Sequence, residues 1–184
     1  MSDTVTKAQV PQPEPWLRAT LMEVPAVIRA VLHALELAGE DAERWCGDMT
    51  GVEVNAGPAG LPSVTFQLRH ISGGVDRLLT YAEGRELSQE QMAELGREAE
   101  GAMPHVLLRE LGKSMERASQ RVRNFIGADL ETERFVGRRR LPTTLGGLLV
   151  HIAEHTQRHA GQMVTTVKVV KASRAKATTS SEPQ

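Results

Sequence analysis

The stretch from Leu148 to Thr166 constrains the fold more than any other part of the chain. Leu148, Ile152, His155, His159, Gln162 and Thr166 follow one another at alternating steps of four and three. That is the seam of a helix packed among other helices. Two imidazoles therefore stand where Leu or Ile would ordinarily pack. A polar group buried unpaired in such a seam costs on the order of 1–3 kcal/mol. Histidines four residues apart on a helix can each turn one nitrogen toward a shared metal ion, which satisfies both at once. The run HIAEHTQRH over 151–159 holds a third histidine, His151. At ~100° per residue the three share an arc of ~80°, with His151 at the edge of the seam.

Three further long stretches repeat with helical period. The first spans roughly 24–46, with Val27, Val31, Leu35 and Ala38 in register and Pro25 in the first turn, where its missing N–H is harmless. Gly51, Gly57, Pro58 and Gly60 then mark a loop. The second helix is expected over 62–83, the third over 104–127, and the seam helix from Thr143 or Thr144 to about Val170. A shorter helical piece follows Ser88, where Ser-Gln-Glu-Gln forms a capping box. No run alternates as a strand does. The pattern predicts an all-α fold, a four-helix bundle with a long connection between helices two and three. Residues 1–15, with Pro11, Pro13 and Pro15, read as a disordered lead; residues 16–171 read as the bundle and 172–184 as a disordered tail.

Composition excludes several function classes. A net charge of -1 and 3% aromatic residues leave neither the basic surface nor the stacking platforms of a nucleic-acid binder. No apolar run reaches bilayer length, and the first fifteen residues lack a secretory pattern. The lone cysteine, Cys46, cannot form an internal disulfide, and no histidine lies near it in sequence to activate it. The expectation is a soluble, cytoplasmic protein without a nucleic-acid or membrane partner.

Two ligands on one helix call for a third from a neighbour, and His70 is the candidate. The apolar arc of the second helix is Val64, Leu68, Ile71, Val75, Leu78 and Leu79. His70 lies ~120° from the centre of that arc, on a mixed face with Ser63, Phe66, Gln67, Gly73, Gly74, Arg77 and Tyr81. The two glycines leave room beside an ion, at about 1 kcal/mol each in helix stability. His33 and His105 stand alone in their helices and read as structural. Three neutral nitrogens leave coordination positions open, the layout of a catalytic site. A competing reading overlaps: His151, Glu154 and His155 match the inverted zinc-protease pattern, with Glu154 as general base. Arg138, Arg139 and Arg140 could collect an anionic substrate ahead of the fourth helix, and Arg77 and Tyr81 could line a pocket mouth.

With QLRHISGGVDRLL in the second helix and HIAEHTQRHAGQ in the fourth, the chain resembles the DinB/YfiT-like family of metalloenzymes over roughly residues 16–170. The family pattern is one histidine in helix two and HxxxHxGQ in helix four; the matching residues are His70, His155, His159, Gly161 and Gln162. The resemblance implies a four-helix bundle, a three-histidine site for one nickel or zinc ion, and a homodimer. It also implies activity of the kind seen in relatives that use low-molecular-weight thiols. One departure stands out. Where many members place an arginine directly after the last histidine, this chain has Ala160, and Arg158 precedes His159 instead. Two functions follow as expectations: a metal-dependent enzyme transferring a thiol to, or hydrolysing, a small-molecule substrate, or a non-catalytic helical module with a structural metal.

Overall fold

The computed structural model describes residues 12–179, with side chains through Ala175. Its long helices are α1 (Ala26–Cys46), α3 (Val64–Ala82), α5 (Pro104–Arg123) and α6 (Leu145–Thr179); α2 (Gly51–Asn55) and α4 (Gln89–Leu95) are short. Both α1 and α3 lie against α5 and α6. Each helix thus buries two strips rather than one, and the apolar arc read from the sequence is only half of what α3 buries. Val64, Leu68, Ile71, Val75 and Leu79 are buried as expected, but so are Thr65, Gln67, Gly74, Arg77 and Thr80. The mixed face of α3 is the surface that meets α6.

Local chemistry sets the helix ends. Ser63 caps α3 by accepting from the Phe66 amide at 3.1 Å. Ser88 and Gln91 form the expected capping box on α4. Thr50 and Glu53 form another on α2, inside the stretch the sequence reads as loop. Pro104 opens α5. Arg121 of α5 donates to Asp76 at 2.6 Å and to Glu83 at 2.7 Å, and Gln91 of α4 donates to Thr80 at 2.8 Å, tying three helices together through polar groups.

The fold is mostly helical but not all-α. Strands β1 (Glu133–Val136) and β2 (Leu141–Thr144) pair antiparallel, with Glu133 opposite Thr144 and Val136 opposite Leu141. The sequence conceals them: each strand has four residues, and Pro142 interrupts the second. A two-stranded ribbon tolerates that proline because each strand has a free edge. The turn carries Gly137 at φ 69° and Arg140 at φ 48°. Arg134 Nε donates to the Ala82 carbonyl at 2.6 Å, fastening the hairpin to the end of α3. The hairpin claims Thr143 and Thr144, so α6 begins at Leu145 and Thr144 Oγ1 caps it by accepting from the Gly147 amide.

The two ends differ in part from expectation. Residues 1–11 of the expected lead lie outside the described residues, and Pro15–Leu17 form a 3-10 turn. The helix that was to end near Val170 continues through Thr179. Ala172, Ala175 and Ala177 favour that, and no glycine or proline intervenes. Residues 180–184 lie outside the described residues. Among the described residues, no helix is long and apolar enough to cross a membrane.

Burial sorts neighbouring residues sharply. Leu149 is 0% exposed and Val150 is 57% exposed, one residue apart on α6. Leu149→Ala is expected to destabilise the fold by about 2–5 kcal/mol, and Val150→Ala by less than about 0.5 kcal/mol. Urea denaturation of both variants checks this; equal midpoints would contradict the packing described.

Candidate metal centre

Between α3 and α6, three imidazoles converge. His70, His155 and His159 each offer a ring nitrogen, and these atoms lie within 4.8 Å of one another. His70 Nε2 and His155 Nε2 are 3.2 Å apart. Ring centroids are 4.3 Å apart for His70 and His159, 4.6 Å for His155 and His159, and 5.0 Å for His70 and His155. Phe66 stacks on the His70 ring at 5.2 Å, nearly parallel, and fixes its plane from α3.

The convergence depends on how closely α3 approaches α6. A Cβ on Gly74 would lie 3.0 Å from His155 Nε2 and nearer still to Cε1. No side chain fits there, so the residue must be glycine for His155 to keep its position. Gly74 therefore admits a histidine from the facing helix rather than open space beside an ion.

The outer nitrogens of two rings are already engaged. His70 Nδ1 lies 2.7 Å from Glu98 Oε2, and His159 Nδ1 lies 2.9 Å from Gln67 Oε1. Both acceptors are buried. Each favours a proton on Nδ1, which leaves a lone pair on Nε2 aimed inward. Burial first, then His159 and His70, push the His155 imidazole down to about 3. Burial and then His70 hold His159 below its usual value, against an upward pull from Gln162. Nε2 of His70 and of His155 face each other with room for one proton between them. His155 Nδ1 is sealed from solvent without a hydrogen-bond partner, so either tautomer leaves this ring short of a contact. Uncharged, inward-facing nitrogen donors with outer acceptors are what a divalent ion requires. These three residues could hold one.

The remaining sequence candidates are dispersed. His151 sits 6.0 Å from His155 by centroid, and its side chain is exposed and bonded to Glu154 at 3.2 Å. Glu154 points into solvent, where it also pairs with Arg158, and His151 first and Arg158 second lower its pKa. The inverted-protease reading therefore lacks its base and one ligand. His33 is buried and bonded to Thr20 Oγ1. Cys46 lies against Met163, and burial pushes its thiol up to about 12, far from a nucleophile. Arg138 and Arg140 line a separate cleft of about 840 Å³ together with Tyr81, and the Arg140 guanidinium lies 4.4 Å over the Phe135 ring. Arg77 is buried against Glu98 rather than at a pocket mouth.

In the sequence Gln67 is marked only as a member of a mixed face, though its place one turn before His70 is a usable signal. Glu98 carries no such mark, because it comes from an aperiodic segment between α4 and α5. A cleft of about 310 Å³ is lined by Leu61, Pro62, Gln67, Arg158, Gln162 and Thr166 among others; none of the three histidines lines it, and Gln67, the partner of His159, is its link to the site. Arg158, directly before the last histidine, lines this cleft.

Two expectations follow. Substituting His70, His155 or His159 with Ala abolishes metal binding, and Gly74→Ala weakens it strongly by displacing His155, whereas His151→Ala retains the metal. Elemental analysis of zinc-reconstituted variants reads this directly, and retention in Gly74→Ala would refute the close approach. The second concerns pH. The unfolded chain protonates His155 near 6.5, whereas the metal-free fold holds off until about 3. Above 6.5 the ring is neutral in both states and adds no pH dependence. Below it the unfolded chain binds a proton that the fold refuses, so stability falls as pH drops from 6.5 toward 3. Urea midpoints of chelator-treated protein should fall over that window, and less steeply in His155→Gln.

A solved structure of a conserved protein from Enterococcus faecalis shares the fold, with a TM-score of 0.56, 21% sequence identity, and coverage of 79% of this chain and 98% of that one. No curated protein matches the sequence. The family model of the DinB superfamily matches residues 20–163, a span that contains all three histidines. The chain belongs to the DinB superfamily.

Proposed function

We propose that this chain is a metal-dependent enzyme acting on a small molecule, with His70, His155 and His159 holding one zinc or nickel ion. The reaction we favour is transfer of a low-molecular-weight thiol, ahead of hydrolysis. In this reading the four long helices serve as one bundle that presents the site, and two copies of the chain form a homodimer.

One observation carries the reading. The group contains three imidazoles and, among the described residues, no fourth His, Cys, Asp or Glu joins it. Structural zinc sites close all four positions with protein ligands; catalytic ones keep a position open. An ion held there supplies Lewis acidity, lowering the pKa of a thiol or water that reaches it. A thiolate is a soft donor suited to zinc or nickel. The chain's own groups would then bind and orient. Gln67 keeps His159 in place, and Arg158 and Gln162 line the cleft that Gln67 borders. Among the described residues, neither carboxylate nearest the triad is free to act as base at the ligand atoms. Glu98 is engaged by His70 and Arg77, and Glu154 by His151 and Arg158. The 310 Å³ cleft suits a small molecule rather than an extended peptide.

Cobalt substitution tests this. Cobalt-loaded protein should show visible d–d bands that change when 2-mercaptoethanol is added, with a new thiolate-to-cobalt charge-transfer band in the near ultraviolet. His155→Ala should show neither. A response to azide but not to thiol would turn the reading toward hydrolysis. Spectra indifferent to both would mean a closed, structural site. Light scattering should give twice the 20.1 kDa chain mass, and a particle of one chain would count against the dimer.

A further inference from the structure

We infer that Glu98 is a positioning residue that decides which nitrogen of His70 carries the proton, and that the segment between α4 and α5 exists in its present form to deliver it. The metal arm of this inference rests on the function proposed above; the tautomer arm does not.

Glu98 lies in a stretch of turns, 96–100, where side chains ordinarily face water. It is nevertheless 5% exposed. Its two oxygens do different things: Oε2 lies 2.7 Å from His70 Nδ1, and Oε1 accepts from Arg77 Nη2 at 2.8 Å. A carboxylate has no proton to give in its ionised form, so the ring must donate from Nδ1. The lone pair then falls on Nε2, the nitrogen that faces His155. Arg77, itself buried, offsets the charge that burial of Glu98 would otherwise leave uncompensated.

The surroundings are arranged for this pair. A Cβ on Gly73 would come within 2.7 Å of Arg77 Nη1 and 3.1 Å of Glu98 Oε1, so the first glycine clears space for the ion pair as the second does for His155. The segment is tied down just beyond Glu98. Arg69 of α3 donates to the Glu100 carbonyl at 2.5 Å. Asn55 of α2 donates to the Ala102 carbonyl at 2.9 Å and accepts from the Ala102 amide at 3.0 Å. An irregular segment held by side chains from two helices, with its one buried carboxylate on a ring of the triad, is a scaffold for that carboxylate.

The test uses Glu98→Gln, which keeps shape. Arg77 carries only donors and claims the amide oxygen, so the amide NH2 turns to His70 and donates to Nδ1. The ring proton then moves to Nε2 and blocks the inward lone pair. Zinc affinity, measured by competition with a chromophoric chelator, should fall by about 10–100-fold. In 15N-histidine NMR of the metal-free protein, His70 should be the Nδ1–H tautomer in the parent chain and Nε2–H in the variant. The double variant Arg77→Met with Glu98→Gln frees the amide oxygen for His70, so it should restore the Nδ1–H tautomer and most of the affinity. A purely structural role predicts no such rescue. Unchanged zinc affinity in Glu98→Gln, or an unrescued double variant, overturns the inference. If Glu98→Gln does not fold, the parent spectrum decides alone: an Nε2–H tautomer at His70 overturns it. If the parent chain binds no zinc, the proposed function fails, and the tautomer measurement still decides the role of Glu98.

Discussion

Everything around the centre of this protein answers to one constraint: three imidazoles must meet on a half-buried helix face. Two Nε2 atoms 3.2 Å apart cannot both carry protons. At most one proton fits between them, and the rings must be oriented and braced from behind. The sequence of α3 from Phe66 to Arg77 can be read as a response to that demand. Gln67 braces one ring, Phe66 stacks on another, and Gly73 and Gly74 bring the α6 ligand and the Arg77–Glu98 pair close to the helix backbone. The polar residues that look misplaced on a buried helix face are the ones that hold the site.

The same constraint explains why so much of the interior is polar without being weak. Buried polar groups are tolerable when each finds a partner. Glu98 with Arg77 Nη2, Gln67 with His159, Thr65 with the Val54 carbonyl, and Thr156 with the Ile152 carbonyl all meet that condition; Arg77 Nη1 and His155 Nδ1, both at the centre, do not. The aliphatic core lies beside these contacts, with Ile71, Leu79, Leu149 and Ile152 fully buried. It supplies the non-directional part of the stability and leaves α3 and α6 free to specialise along the face where they meet.

Much of this was legible in the residues, and what was not has physical causes. The helices announced themselves by period and caps. The histidine pair announced itself by occupying a seam, and His70 by standing off the apolar arc of its own helix. That arc was misleading in one respect. A helix packed against two neighbours buries two strips, and on α3 the strip facing α6 is polar enough to pass for a solvated surface. The hairpin escaped notice because four-residue strands carry too little periodicity, and Pro142 and three arginines resemble a loop. Glu98 escaped because tertiary contacts, not local pattern, bury it. Nothing in the run from Gly96 to Met103 distinguishes its acids from one another. The hold on it comes from Arg69 and Asn55, distant in sequence.

The paired glycines have one more consequence, and it concerns the order of folding events. Two adjacent glycines in the middle of a 19-residue helix lower its intrinsic helicity by roughly 2 kcal/mol relative to alanine. Isolated helices of that length are marginal even with good formers. Before docking, α3 is therefore better described as two short, fraying segments joined at a flexible point than as a rod. It becomes one continuous helix when α6 presses against the glycines and removes their freedom. The backbone of α3 and the alignment of His70 with His155, 85 residues away, thus form in a single cooperative step. Native-state hydrogen exchange at Gly73 and Gly74 would then report on assembly of the centre itself.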